Sequence, residues 1–141
     1  MTIRSSFLIK RQPISIGSDA TISDAIRVMA ENNIGSLLVS ETGKVVGIVT
    51  ERDVIKGLSK GRKLNESIKT IATIGPLIYV YDDEGIDKVA KLMKDHFIRH
   101  VVVKNRSGEI MGVISIRDLL GEEKVLEALS AIPEQSWAGS D

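Results

Sequence analysis

The chain has 141 residues, 43% of them hydrophobic and 27% charged, with 19 basic side chains against 19 acidic ones. That length and composition suit one compact domain or two small halves, and the even charge balance argues against a dedicated nucleic-acid binder, which shows a basic excess. Cysteine is absent, so disulfide and thiolate–metal frameworks are excluded. No apolar run approaches the roughly 18 residues of a membrane span. Residues 1–7 lack the apolar stretch of a signal peptide, and a soluble cytoplasmic protein is expected.

In chain order, residues 1–12, polar and mixed with Phe7, Leu8 and Ile9 as their only apolar cluster, read as a leader that packs back onto the body. Ile14 to Ile16 alternates like a short strand. Thr21 opens a helix with Asp24 as its cap partner, and Ile22, Ala25, Ile26, Met29 and Ala30 form one apolar face. Asn32-Asn33 stops it. Ser36 to Ser40 is a predicted strand, Glu41 to Lys44 a hairpin turn, and Val45 to Val49 the returning strand. Glu51 to Leu58 is a predicted helix, ended by Ser59-Lys60-Gly61. Leu64 to Ile71 links to a second series. There Leu77 to Val80, Val101 to Val103 and Ile110 to Ile114 are predicted strands, and Asn105 to Gly108 is a turn. Gly85 to His96 is a predicted helix with Ile86, Val89, Ala90 and Met93, then Phe97, at helical spacing. Arg117 to Ile132 is predicted as a single helix, weakened at Gly121 by about 1 kcal/mol. The spacing divides the chain into a leader (1–12), a first unit (13–62), a linker (63–76), a second unit (77–132) and a flexible tail (133–141) that contains Trp137.

The two units correspond residue by residue. Ile22 matches Ile86, Met29 matches Met93, Ile34 matches Ile98 and Val39 matches Val103. After one extra residue in the second turn, Gly43 matches Gly108, Gly47 matches Gly112, Arg52 matches Arg117 and Asp53 matches Asp118. This is a two-fold repeat of about 60 residues. A unit that small buries only roughly 60% of its chain surface and is marginal alone. Pairing two of them doubles the core and leaves a cleft between them, where small ligands usually bind.

The centre of each unit is Gly47-Ile48-Val49-Thr50-Glu51-Arg52-Asp53 and Gly112-Val113-Ile114-Ser115-Ile116-Arg117-Asp118. Each reads as a buried strand, a hydroxyl, an acid three residues on and an apolar helical run. One reading is a capping box, with Asp in place of Glu. The other is a strand-to-helix corner whose free N–H groups and helix dipole receive a polar or anionic ligand. The glycine three residues before each hydroxyl and the shorter Asp in both copies are not demanded by a cap alone, and they favour the second reading.

These motifs, with the helix before them and the tandem spacing, resemble the cystathionine-beta-synthase (CBS) domain, present here as a pair over residues 8–130. The resemblance implies an α+β fold of two pseudo-symmetric β-α-β-β-α repeats packed into one module. It implies a non-catalytic regulatory protein whose ligand is an adenosine-containing compound: AMP above all, or ADP, ATP or S-adenosylmethionine. In the second-motif site it assigns Asp118 to the ribose hydroxyls, Ser115 to the ribose or phosphate and Val113 to the base, with Pro13, Ile14 and Ile34 closing the pocket. In the first-motif site Asp53, Thr50 and Ile48 take those roles. Leu77, Ile78 and Ile98 complete the pocket, Thr73 adds a polar contact and Arg99 faces phosphate. Lys10 and Arg11 are weaker phosphate candidates. Gly35-Ser36 stands where the second repeat has Arg99-His100, so the two sites are expected to differ, and His100 is read as a partly buried histidine.

A catalytic role has little to stand on. The chain has two histidines, no cysteine, and no spacing of a metal site or nucleophile–base pair. A nucleotide-independent module that binds protein or nucleic acid remains the alternative. The apolar content of the helices after each motif points to a homodimer, and the regulated partner is unnamed by the residues.

Overall fold

Thr21 begins the first helix by closing a capping box. Its Oγ1 accepts from the Asp24 N–H (3.1 Å), and Asp24 Oδ2 accepts from the Thr21 N–H (3.0 Å). The computed structural model describes residues 3–121 and 128–131. In it helix α1 runs Ile22–Asn32 and buries Ile22, Ala25 and Met29, the face that helical spacing marks out. Asn33 ends it in the left-handed region. The chain continues through β2 (Ser36–Glu41), which pairs in parallel with β1 (Ser15–Gly17) and antiparallel with β3 (Lys44–Thr50). Thr42 and Gly43 both have positive φ, as a two-residue hairpin turn of type I′ requires. Helix α2 (Glu51–Ser59) follows β3 without a gap.

The second series repeats this order: β5 (Tyr79–Tyr81), α3 (Ile86–His96), β6 (His100–Lys104), β7 (Ile110–Ser115) and α4 (Ile116–Leu120). Again the first strand is parallel to the second and the second antiparallel to the third. Register shifts fall at matching places, Val39/Ser40 and Val103/Lys104. The fold is α+β, with one core of Ala25, Met29, Leu37, Val39, Val49 and Ile68 and a second of Val80, Val89, Met93, Val101, Val103 and Ile114.

The segment before each repeat packs on the other repeat. Residues 3–9, with a 3₁₀ turn at Ser5–Leu8, cross to the second. The Ser5 N–H donates to the Glu84 carbonyl (2.6 Å), the Ile86 N–H to the Ile3 carbonyl (2.9 Å), and Ser5 Oγ to the Tyr81 carbonyl (2.7 Å). The linker does the same for the first repeat: the Ile22 N–H donates to Glu66 and the Ile68 N–H to Ala20. Ser5 and Ile68 thus hold equivalent places, and both are fully buried.

Three expectations change. The linker contains a strand, β4 (Thr73–Ile74), which pairs with β3 and gives the first sheet four strands against three in the second. The predicted strand from Leu77 starts at Tyr79. The predicted helix 117–132 is not continuous: α4 ends at Leu120, with Gly121 left-handed (φ 64°) as its cap. Glycine adopts that conformation without steric cost, so it ends a helix as readily as it weakens one. Residues 128–130 are helical again. The expected tail, with Pro133 and Trp137, lies outside the described residues.

Candidate functional site

Both motifs close as capping boxes. Asp53 Oδ2 accepts from the Thr50 N–H at 2.9 Å, and the Asp53 N–H donates to Thr50 Oγ1 at 3.2 Å. Asp118 Oδ2 likewise accepts from the Ser115 N–H at 2.9 Å, and the Asp118 N–H donates to Ser115 Oγ at 3.2 Å. Capping and ligand binding are compatible, because each carboxylate keeps Oδ1 without a hydrogen-bond partner among the described residues. The two corners differ in one respect. Ser115 Oγ also donates to Asp118 Oδ2 (3.1 Å), whereas the Thr50 hydroxyl has no acceptor among the described residues and remains a donor for a ligand.

The glycine of each motif has a packing reason. A Cβ at Gly47 would collide with the Thr73 carbonyl oxygen and approach Ile74 Cδ1 to 2.9 Å; one at Gly112 would meet Ile9 Cγ2 at 2.8 Å. Both glycines let the crossing segment lie against the sheet. At the first motif that segment is hydrogen-bonded as β4, whereas residues 9–13 form no strand on β7.

The first-motif residues converge. Ile48, Thr50 and Asp53 from the β3–α2 corner, Thr73 from β4, Leu77 and Ile78 from the chain leading to β5, and Ile98 and Arg99 from the α3–β6 connection line one cavity of about 630 Å³. This lies within the usual range of small-molecule sites, about 300–1,000 Å³. Its walls combine aliphatic side chains with Asp53, Glu51 and three cations, Arg52, Lys56 and Arg99. None of the three cations forms an ion pair among the described residues, so each can meet an anion. Pro76, Phe97, His100 and Val102 also border the cavity. Lys56 was legible in principle, since it stands three residues after Asp53 on the same helix face; Arg52, next to Asp53 in sequence, was not. Phe97 and His100 carried no comparable signal.

The second-motif residues are not gathered in this way. Ile34 borders a separate cavity of about 390 Å³ with Glu51 and Arg117. Pro13, Ile14, Val113, Ser115 and Asp118 line none of the four principal cavities of the described residues. Pro13 is half-buried before β1, the Ile14 carbonyl accepts from the Leu38 N–H (3.0 Å), and Val113 lies opposite Val102. Gly35 has a local reason to differ from its counterpart Arg99. A Cβ there would come within 3.0 Å of Glu51 Oε1, so the glycine makes room for a carboxylate where the other corner has a guanidinium. Lys10 lies outside the four cavities, and Arg11 Nη1 donates to the Asn32 carbonyl (2.8 Å).

His100 starts β6 opposite Ser115, between the two corners. Burial pushes its imidazole below the ordinary value; Glu51, Asp118 and Asp53 pull it back up, and Arg117 adds to the lowering. The neutral form is therefore favoured in the folded chain. Below about pH 6.5 the unfolded chain binds more protons at this site than the folded one, and stability rises with pH wherever that holds. Lowering pH from about 7.5 to about 5.5 is expected to reduce the melting temperature, and His100→Asn to flatten that part of the profile. An unchanged slope in the variant would assign the acid sensitivity to other groups.

Among the described residues no group of three or more His, Cys, Asp or Glu could hold a metal ion, and no helix is long and apolar enough to cross a membrane.

The CBS domain family model matches residues 5–60 and 68–124. An uncharacterised protein of Methanopyrus kandleri is 33% identical over 123 residues, which span 85% of this chain and 63% of that protein's length. Among solved structures, a CBS domain protein from Pyrobaculum aerophilum complexed with AMP is 36% identical, with a TM-score of 0.76 over 92% of this chain and all of that one. The CBS domain pair of protein MJ0100, in complex with 5′-methylthioadenosine and S-adenosylmethionine, is 26% identical, with a TM-score of 0.78 over 89% of this chain and 98% of that one. The doubled strand–helix–strand–strand–helix fold thus has its counterpart in known proteins, and the chain belongs to the CBS domain family as a tandem pair.

Proposed function

We propose that this chain is a non-catalytic regulatory module that binds an adenosine-containing ligand in the first-motif cavity and signals its occupancy to a partner protein. The observation that carries this reading is the convergence of Thr50, Asp53 and Arg99 with an aliphatic wall in one cavity of suitable size. Asp53 Oδ1 accepts from the ribose hydroxyls, the Thr50 hydroxyl donates, and Ile48, Leu77, Ile78 and Ile98 receive the base. Arg99, with Arg52 and Lys56, meets phosphate, which favours AMP, ADP or ATP over an uncharged adenosyl group. The ligands bound by the two solved relatives support the adenosyl class. Hydrogen bonds to a charged group contribute about 1.5–3 kcal/mol, and burying about 100 Å² of base about 2.5 kcal/mol. After the cost of association a micromolar constant follows, about −8 kcal/mol.

The test is a thermal-shift screen with AMP, ADP, ATP, S-adenosylmethionine and NAD. At a hundredfold excess over the dissociation constant, the true ligand stabilises by about 2.7 kcal/mol. A flat response to every adenosyl compound would reject this reading in favour of a nucleotide-independent interaction module. Exposed Ile55, Leu58 and Leu120 on the helices after the motifs favour association through those helices in either case. We place the module in the cytoplasm as a homodimer, and sedimentation velocity checks its association.

A further inference from the structure

Phe97 breaks two local rules at once. It follows α3 as its C-cap with φ 54° and ψ 41°, in the left-handed region that bulky side chains avoid. Its counterpart in the first repeat is Asn33, with φ 52° and ψ 48°, a residue type that tolerates this conformation. Phe97 is also 84% exposed, the highest value among the exposed large hydrophobic residues described. A residue that neither suits its backbone nor buries its ring destabilises the unliganded chain, and such positions concentrate at functional sites.

Its surroundings supply the function. Phe97 borders the first-motif cavity and the adjoining cavity of about 400 Å³ beside Met93, Lys94 and Leu119. Among the described residues that line the first-motif cavity it is the only Phe, Tyr or Trp, the other ring being the half-buried imidazole of His100. Ile98 and Arg99, the next two residues, line the same space. The left-handed turn therefore places an aromatic ring, an aliphatic wall residue and a guanidinium in succession around one cavity. We propose that Phe97 is a specificity-determining residue of this site, presenting its ring to the heterocycle of the ligand. The ligand covers the exposed ring, so a planar base is selected over an aliphatic or sugar-only compound. This rests on the reading that the cavity holds an adenosyl ligand.

The experiment compares wild type with Phe97→Asn, Phe97→Leu and Phe97→Tyr by calorimetry with AMP and with adenosine, and by sedimentation velocity. Asn suits the left-handed turn, so the unliganded variant is expected to melt no lower than wild type. Its affinities for AMP and adenosine are both expected to fall by about tenfold, as loss of an aromatic–base stack requires. Leu falls similarly, while Tyr restores affinity to within about twofold, because aromatic faces stack alike. Wild-type affinity in Phe97→Asn overturns the proposal, as does a loss confined to AMP, which would mean that the phosphate contact through Arg99 had shifted. Weakened self-association with unchanged nucleotide affinity also overturns it and assigns the ring to a protein interface. If wild type binds neither compound, the site reading itself fails and this role falls with it, a result distinct from normal binding that ignores position 97.

Discussion

Asp53→Ala is expected to weaken AMP binding about ten- to a hundredfold and to cost about 1 kcal/mol of folding stability. Asp24→Ala is expected to cost a similar amount of stability and leave AMP binding unchanged. The two aspartates make the same pair of capping hydrogen bonds, Asp24 with Thr21 and Asp53 with Thr50. Asp53, unlike Asp24, lines the first-motif cavity. The difference between the variants therefore isolates what the carboxylate does beyond its cap. Asp53→Asn refines the comparison. Its amide oxygen can still accept from the Thr50 N–H, while the charge that strengthens a hydrogen bond from a ribose hydroxyl is gone. Affinity should fall in Asn with little change in melting temperature. Equal AMP affinity in Asp24→Ala and Asp53→Ala would reduce the motif acid to a helix cap. Asp118→Ala reports on the other corner, where Ser115 already donates its hydroxyl to the acid. A smaller effect on AMP is expected there.

The repeat was legible because each element carries its own local signal. Thr21-x-x-Asp24, Thr50-x-x-Asp53 and Ser115-x-x-Asp118 announce helix starts, and all three form the reciprocal boxes their spacing implies. Thr42-Gly43 announces a hairpin. The family resemblance named the first-motif residues, and the structure brings them to one cavity. What escaped depends on contacts distant in sequence. β4 is two residues long and has no periodicity to read; it exists because Gly47 lets Thr73-Ile74 approach β3. The crossing of residues 3–9 to the second repeat is written in backbone hydrogen bonds such as Ser5 to Glu84, which any residue but proline can donate. His100 and Phe97 reach the cavity through the α3–β6 connection. Their apolar neighbours read equally well as core, and a left-handed phenylalanine is not something a pattern of side chains foretells.

Gly47→Ala should combine a stability loss of about 2 kcal/mol with loss of at least about tenfold in AMP affinity. The added methyl meets a backbone carbonyl, that of Thr73, together with Ile74 Cδ1 at 2.9 Å and Ile74 Cα at 3.1 Å. No rotamer change relieves a clash with backbone. Gly47 is itself held between Val39 on β2 and Ile74 on β4, so the shorter edge strand must yield. Thr73 then leaves the cavity wall, and the segment carrying Pro76, Leu77 and Ile78 loses its anchor on the sheet. Gly112→Ala is the matched control. Its methyl would meet side-chain carbons of Ile9, the nearest at 2.8 Å, and a side chain can rotate away, so about 1 kcal/mol or less is expected with AMP binding at the first-motif site intact. Gly43→Ala adds the opposite control. Nothing lies within 4 Å of its added methyl, but φ is +79°, so it costs conformational strain of about 1 kcal/mol and no affinity. Urea midpoints and calorimetric titration separate the three. If Gly47→Ala and Gly112→Ala behave alike in both measurements, the close approach of β4 is not what builds the site. If only Gly47→Ala loses both stability and ligand, the glycine that opens the motif shapes the pocket through the strand it admits.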